Sequence, residues 1–192
     1  MSHRPSPWSL TPLLALLALP LVAQSANVKH PEAPPELAVL EFMIGEWDLT
    51  TSFAQADGSR REEHARLEAR WVLGGFGIGI EETHPYAEGN GGVFVSNVIY
   101  TVHPETRKIV GASHNTLGNR KLYELTVEEG GLAIVQKGEL FGGREGFNRQ
   151  WIHEISEQRF ELRLDSCSNE GECNEGSYSY VATRRRPVEA SP

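Results

Sequence analysis

The sequence predicts an all-β fold, about ten antiparallel strands closed up-and-down into a barrel behind one short helix. Three observations carry that expectation. From Gly45 onward apolar and polar residues alternate with a period of two, apolar stretches recur between Gly-, Asn- and Pro-containing turn signals, and no later stretch keeps helical spacing. Ten strands joined by short hairpins would leave two long unpaired edges in an open sheet. Closing the sheet removes them, with a sandwich as the main alternative.

In chain order, Arg4 followed by the apolar run Leu13 to Ala23 and the small residues Ala23-Gln24-Ser25-Ala26 reads as a signal peptide over 1–26, cut after Ser25 or Ala26. The run is shorter than the roughly 20 residues needed to span a bilayer, so no integral membrane anchor is expected. Residues 27–35 are polar and Pro-rich and predict a flexible lead-in. Pro34-Pro35 followed by Leu37, Leu40 and Ile44 predicts one helix. The barrel domain is expected over 36–186, with strands near 46–54, 61–73, 76–84, 92–102, 108–114, 121–128, 132–138, 147–155, 158–166 and 176–185. Residues 187–192 read as a disordered tail.

Removing a leader that contains Arg4 and no acidic residue takes the formal charge from −8 to −9. That balance makes nucleic acid an unsuitable partner. Cys167 and Cys173 flank the polar stretch Ser168 to Glu172, and in an oxidising compartment a disulfide across that loop is the expected use. A metal pair would need two further ligands at suitable spacing, and a redox pair would favour CxxC, so no metal site is expected. The protein is therefore expected to be periplasmic or secreted.

Alternation assigns faces. On the second strand Ala65, Leu67, Ala69, Trp71 and Leu73 share the inward parity, and His64, Arg66, Glu68 and Arg70 the outward one. Phe76, Ile78 and Ile80 share a parity on the third strand that continues into Glu82 and His84. The eighth strand sets Phe147, Arg149, Trp151, His153 and Ile155 on one face, read as inward. The ninth does the same with Phe160, Leu162 and Leu164.

Leu40-Glu41-Phe42-Met43-Ile44-Gly45-Glu46-Trp47-Asp48 runs a helix into Gly-x-Trp, which resembles the opening of lipocalin-like (calycin) barrels. With Ala69-Arg70-Trp71-Val72-Leu73-Gly74-Gly75 and Val98-Ile99-Tyr100-Thr101-Val102-His103-Pro104-Glu105-Thr106, the chain is similar to the bacterial DUF1579 family over roughly Leu37 to Arg185. The resemblance implies the lipocalin-like fold and little about function. It also implies a structural group at the barrel base, in which Arg184 or Arg185 stacks on Trp47 beside Gly45. Similar proteins often carry Asp-Pro-Glu-Thr-Gly in the hairpin. Here His103 and Arg107 replace the Asp and Gly, and Arg at a position requiring positive φ is mildly strained.

Inward ionisable groups need a reason. Glu82 and His84 form either a polar mouth, orienting a ligand or acting as an acid and base, or the solvated end of a strand that has left the core. Arg149 and His153 flank Trp151, with Arg149 as a cation for a ligand carboxylate, or stand as a rim Arg and a hydrogen-bonded His. His114, Tyr123 and Tyr178 either add donors near a rim or are ordinary loop and strand-end side chains. The nitrobindin group of similar barrels binds haem through one His, and His84, His114 and His153 are the residues to weigh. That group opens with Gly-x-Trp-x-Gly-x-Gly, and Leu49 and Thr51 stand at the later glycines here, so no cofactor is expected. No Gly-x-Ser-x-Gly, His-Glu-x-x-His, Walker or dinucleotide motif occurs.

The leading expectation is a protein binding a small, mostly apolar ligand, with Trp71, Ile80, Phe147, Trp151 and Phe160 as walls and Glu82, Arg149 and His153 as polar anchors. The alternatives are a barrel isomerase, cyclase or hydratase using Glu82, His84 or His153 as acid or base, and a filled barrel whose outer surface serves protein interaction.

Overall fold

The computed structural model describes residues 32–85, 92–138 and 146–186. The leader proposed over 1–26 and the tail over 187–192 lie outside them. A 3₁₀ helix, Pro35–Met43, precedes ten strands: β1 Gly45–Ala54, β2 Arg60–Val72, β3 Gly77–Pro85, β4 Val93–Val102, β5 Ile109–Asn115, β6 Arg120–Glu128, β7 Gly131–Gly138, β8 Phe147–His153, β9 Arg159–Cys167 and β10 Cys173–Arg184. Each strand pairs antiparallel with its sequence neighbour, and β1 also pairs with β10, which closes the barrel. Every strand therefore has two partners and no edge is left open.

The helix buries Leu37, Leu40 and Met43 rather than the expected Ile44. Pro34-Pro35 starts it in the tight form, with Leu37 N–H donating to Pro34 O at 3.1 Å. At three residues per turn, positions 37, 40 and 43 share a face.

Trp47, fully buried, donates its indole N–H to Met43 O at 2.7 Å and meets Phe160 edge-on with ring centroids 4.8 Å apart. The Arg184 guanidinium lies 4.1 Å above the Trp47 ring. Its Nη1 and Nη2 donate to Ile44 O at 2.8 Å and Phe42 O at 2.7 Å, and its Nε to Glu157 O at 2.5 Å. One planar fork thus ties the helix, the start of β1 and the β8–β9 loop together. Gly45 has φ +127°, and a Cβ there would stand 2.6 Å from Arg184 Nη1, so the guanidinium occupies the space a side chain would take.

Two residues expected to face inward turn out at the base. Leu73 and Phe76 sit in and beside a short 3₁₀ turn, Leu73–Gly75, that interrupts the strand pattern and exposes both. The β4–β5 hairpin explains its departures from the family pattern. His103 Nδ1 accepts the N–H groups of Glu105 and Thr106, both at 3.3 Å, doing the work of the absent Asp carboxylate. Arg107 holds φ +56° while its guanidinium pairs two-pronged with Glu36 at 2.9 and 2.8 Å. Left-handed backbone costs a non-Gly residue about 1 kcal/mol, and so exposed a pair returns about as little. Arg107→Gly is therefore expected to match the parent within about 1 kcal/mol, and Arg107→Ala, which keeps the strain and loses the pair, to fall about 1 kcal/mol below Arg107→Gly in urea unfolding.

Candidate functional site

The barrel interior is not filled. A cavity of about 1080 Å³ runs from Leu40 and Met43 of the helix to Ala54, Pro85 and Ser168 at the opposite strand ends. Its middle is walled by apolar side chains that alternation directs inward, among them Leu67, Ile80, Val98, Ile134 and Leu162.

Two polar groups break this lining. The first joins β3 to β10 across the lumen. Glu82 Oε1 takes the Tyr178 hydroxyl at 2.5 Å and stands 2.6 Å from His84 Nε2. The rings of Phe53, Phe94 and Tyr178 surround the imidazole at centroid distances of 6.1, 5.8 and 6.2 Å. His84 Nδ1 is buried without a partner. The second group runs around the wall from β5 to β8. Tyr123 Oη lies 2.9 Å from Ser113 Oγ and accepts from Gln136 Nε2 at 2.7 Å, and Gln136 Oε1 accepts from Asn148 Nδ2 at 2.6 Å. Asn148 Oδ1 is buried and unpaired.

Burial pushes the phenols of Tyr100, Tyr123, Tyr178 and Tyr180 upward; for Tyr178 and Tyr180 the Glu82 carboxylate adds to it. Tyr100, Tyr178 and Tyr180 are expected to stay protonated well above the ordinary value of 10.0, and Tyr123 above it. An acid with a raised folded-state pKa contributes stability below its unfolded value and loses it as pH rises. Stability is thus expected to decline above about pH 10, with phenolate absorbance appearing together with loss of far-UV signal. Lys121, on β6, also lines the cavity, and burial holds its ammonium pKa below the usual lysine range.

The site residues expected from sequence divide cleanly. Ile80, Glu82 and His84 do line the cavity. Trp71 packs half-buried against the core, and Phe160 is buried among Trp47, Phe42 and Tyr180; both belong to the base rather than the cavity wall. The eighth strand is the main correction. Asn148, Gln150 and Ile152 face the lumen, so Phe147, Arg149, Trp151 and His153 face outward. Arg149 is exposed with Nη2 3.3 Å from Cys173 Sγ, and His153 lines a shallow outer groove beside Glu161 and Arg163. The aromatic and apolar members of that face suggested burial, but the lumen receives its amides instead, because Gln136 on the paired strand offers Asn148 a partner. Gln136 shares the inward parity of Leu132 and Ile134, which was the available signal. Tyr123 and Tyr178, expected at a rim, are inside, while His114 is exposed outside. Of the three histidines weighed for haem, His84 alone faces the cavity.

Cys167 and Cys173 are cross-strand partners at bonding distance, S–S 2.19 Å, and lie at the cavity's outer end. With a sequence separation of 6, reduction is expected to cost about 2 kcal/mol, read from urea midpoints with and without dithiothreitol.

No protein-family model and no curated protein sequence matches the chain. Among solved structures it is similar to the crystal structure of Rv2717c from M. tuberculosis, at 11% identity and a TM-score of 0.58, covering 81% of this chain and 100% of that one. At that identity the likeness is one of fold, a β-barrel.

Proposed function

We propose that this protein is an exported lipocalin-like barrel of the DUF1579 kind that binds a small molecule in its lumen. The observation that carries the reading is the cavity of about 1080 Å³, apolar in its middle and supplied with buried polar groups on two walls. A hole of that size in a domain core forfeits packing unless something occupies it. Export is supported by the leader-like start and by the cysteine pair at bonding distance. Among the described residues no helix is long and apolar enough to cross a membrane. The ligand's apolar body would lie against Ile80, Val98, Ile134 and Leu162, with its polar group at Glu82.

Native mass spectrometry of protein purified from the periplasm without denaturation, followed by organic extraction, tests this. A retained small molecule of stoichiometric amount is the expected result. An apo mass, with no binding of added hydrophobic probes, would overturn the reading. A second reading, acid–base catalysis by an isomerase, cyclase or hydratase, is favoured by Glu82, His84 and Tyr178 standing within single hydrogen bonds. It requires that the extracted molecule be converted by the parent protein and not by His84→Gln.

A further inference from the structure

We infer that the lumen selects a ligand carrying a protonated amine, seated on the Glu82 carboxylate. The inference rests on the cavity-binding reading and adds the chemical class of its ligand.

Glu82 is an inward carboxylate whose charge is not neutralised. Its Oε1 is held by Tyr178 and His84, which are its hydrogen-bond partners among the described residues. Among the described residues no Lys or Arg forms an ion pair with it. Arg61, near the cavity mouth, pairs with Glu63 at 3.0 Å and lies over the Phe53 ring, and Lys121, which lines the cavity from β6, has no ion pair among the described residues. The protonation of His84 then decides the net charge. Its Nδ1 is buried with no partner, and a proton there would be a stranded donor, whereas a lone pair there costs less. The ring proton therefore belongs on Nε2, where it is donated to Glu82. Tyr178, its ionisation suppressed by burial, is a neutral donor as well. Two neutral donors orient the carboxylate without cancelling it, so the Glu82 end of the lumen keeps a carboxylate charge near the rings of Phe53, Phe94 and Tyr178 around His84, while Glu63 on the same lining is paired with Arg61.

That combination suits an organic ammonium group. The N–H groups fill acceptor positions of the carboxylate, and the charge is compensated in a site walled largely by apolar side chains. Asn148 Oδ1, on the other wall, is a second unfilled acceptor. The unsatisfied valences of both polar groups thus call for donors. An alcohol of the same shape would supply a hydrogen bond but no charge, and a carboxylate would be repelled.

Titration calorimetry with octylammonium, 1-octanol and octanoate, which share one chain and differ in headgroup, separates the possibilities. Octylammonium is expected to bind at least about tenfold tighter than 1-octanol, with octanoate weakest. Glu82→Gln, isosteric and checked for folding by its melting curve, is expected to weaken octylammonium at least about tenfold and 1-octanol far less, so that the amine loses its advantage over the alcohol. If 1-octanol or octanoate binds as well as the amine, the cavity reading survives and the amine inference falls; an octanoate preference would make Lys121 the anchor. If none of the three binds, both fall. The ranking in the parent protein decides the matter even if Glu82→Gln fails to fold.

Discussion

Trp47→Ala is expected to destabilise the barrel by about 3–5 kcal/mol, the range for deleting a large buried aromatic. For a domain of this size that corresponds to a melting temperature lower by roughly 10 °C. The indole does more than fill space. It donates to Met43 O, meets Phe160 edge-on and forms the platform under Arg184. Its removal leaves a void in the part of the core that carries no ligand space, leaves the Met43 carbonyl without its donor and takes the ring from under the guanidinium, which keeps its three carbonyl partners. Trp47→Phe should recover part of the loss by restoring ring packing, though not the N–H. Thermal unfolding of the three proteins checks the order parent, Phe, Ala. A Trp47→Ala variant melting within 2 °C of the parent would show that the base group is dispensable.

Gly131→Ala is expected to cost about 3 kcal/mol, far more than its neighbour Gly130→Ala. A Cβ at Gly131 would lie 2.1 Å from Ile152 O and 3.2 Å from Trp151 Cζ2, so β7 and β8 must separate at that point. A backbone oxygen cannot rotate aside as a flexible side chain can. Gly130 is the informative control. It has φ +84° with nothing within 4 Å of the added atom, leaving backbone strain of about 1 kcal/mol as its cost. Urea unfolding of both variants reads the difference, and equal losses would mean that the strands part freely.

The candidate site was legible where alternation and residue type agreed. Ile80, Glu82 and His84 continue a parity begun by Ile78, and the barrel keeps them inside to the strand's end. On β8 the two signals conflicted. Period two correctly grouped Phe147 with Arg149, Trp151 and His153, but grouping does not say which face is inside. Ranking faces by hydrophobicity assumes an apolar core, whereas this lumen is lined on that side by the chain of Tyr123, Gln136 and Asn148. A lysine in a strand usually faces water, yet the parity of Lys121 with Tyr123 and Leu125 carries it inward.

Local sequence determined the elements of this protein: the turns, the ten strands within three residues of their ends, the Gly-x-Trp opening and the Cys167–Cys173 pairing. These depend on backbone propensity and near-neighbour spacing, which a linear pattern records. Only the closed barrel decided the rest. Pairing β1 with β10 brings Arg184 over Trp47, and the lumen lets Tyr178 reach Glu82 across two intervening strands. Contacts between residues 96 or 137 positions apart exist because the strands close into a cylinder of a certain width, and that width also sets whether the interior is full or hollow.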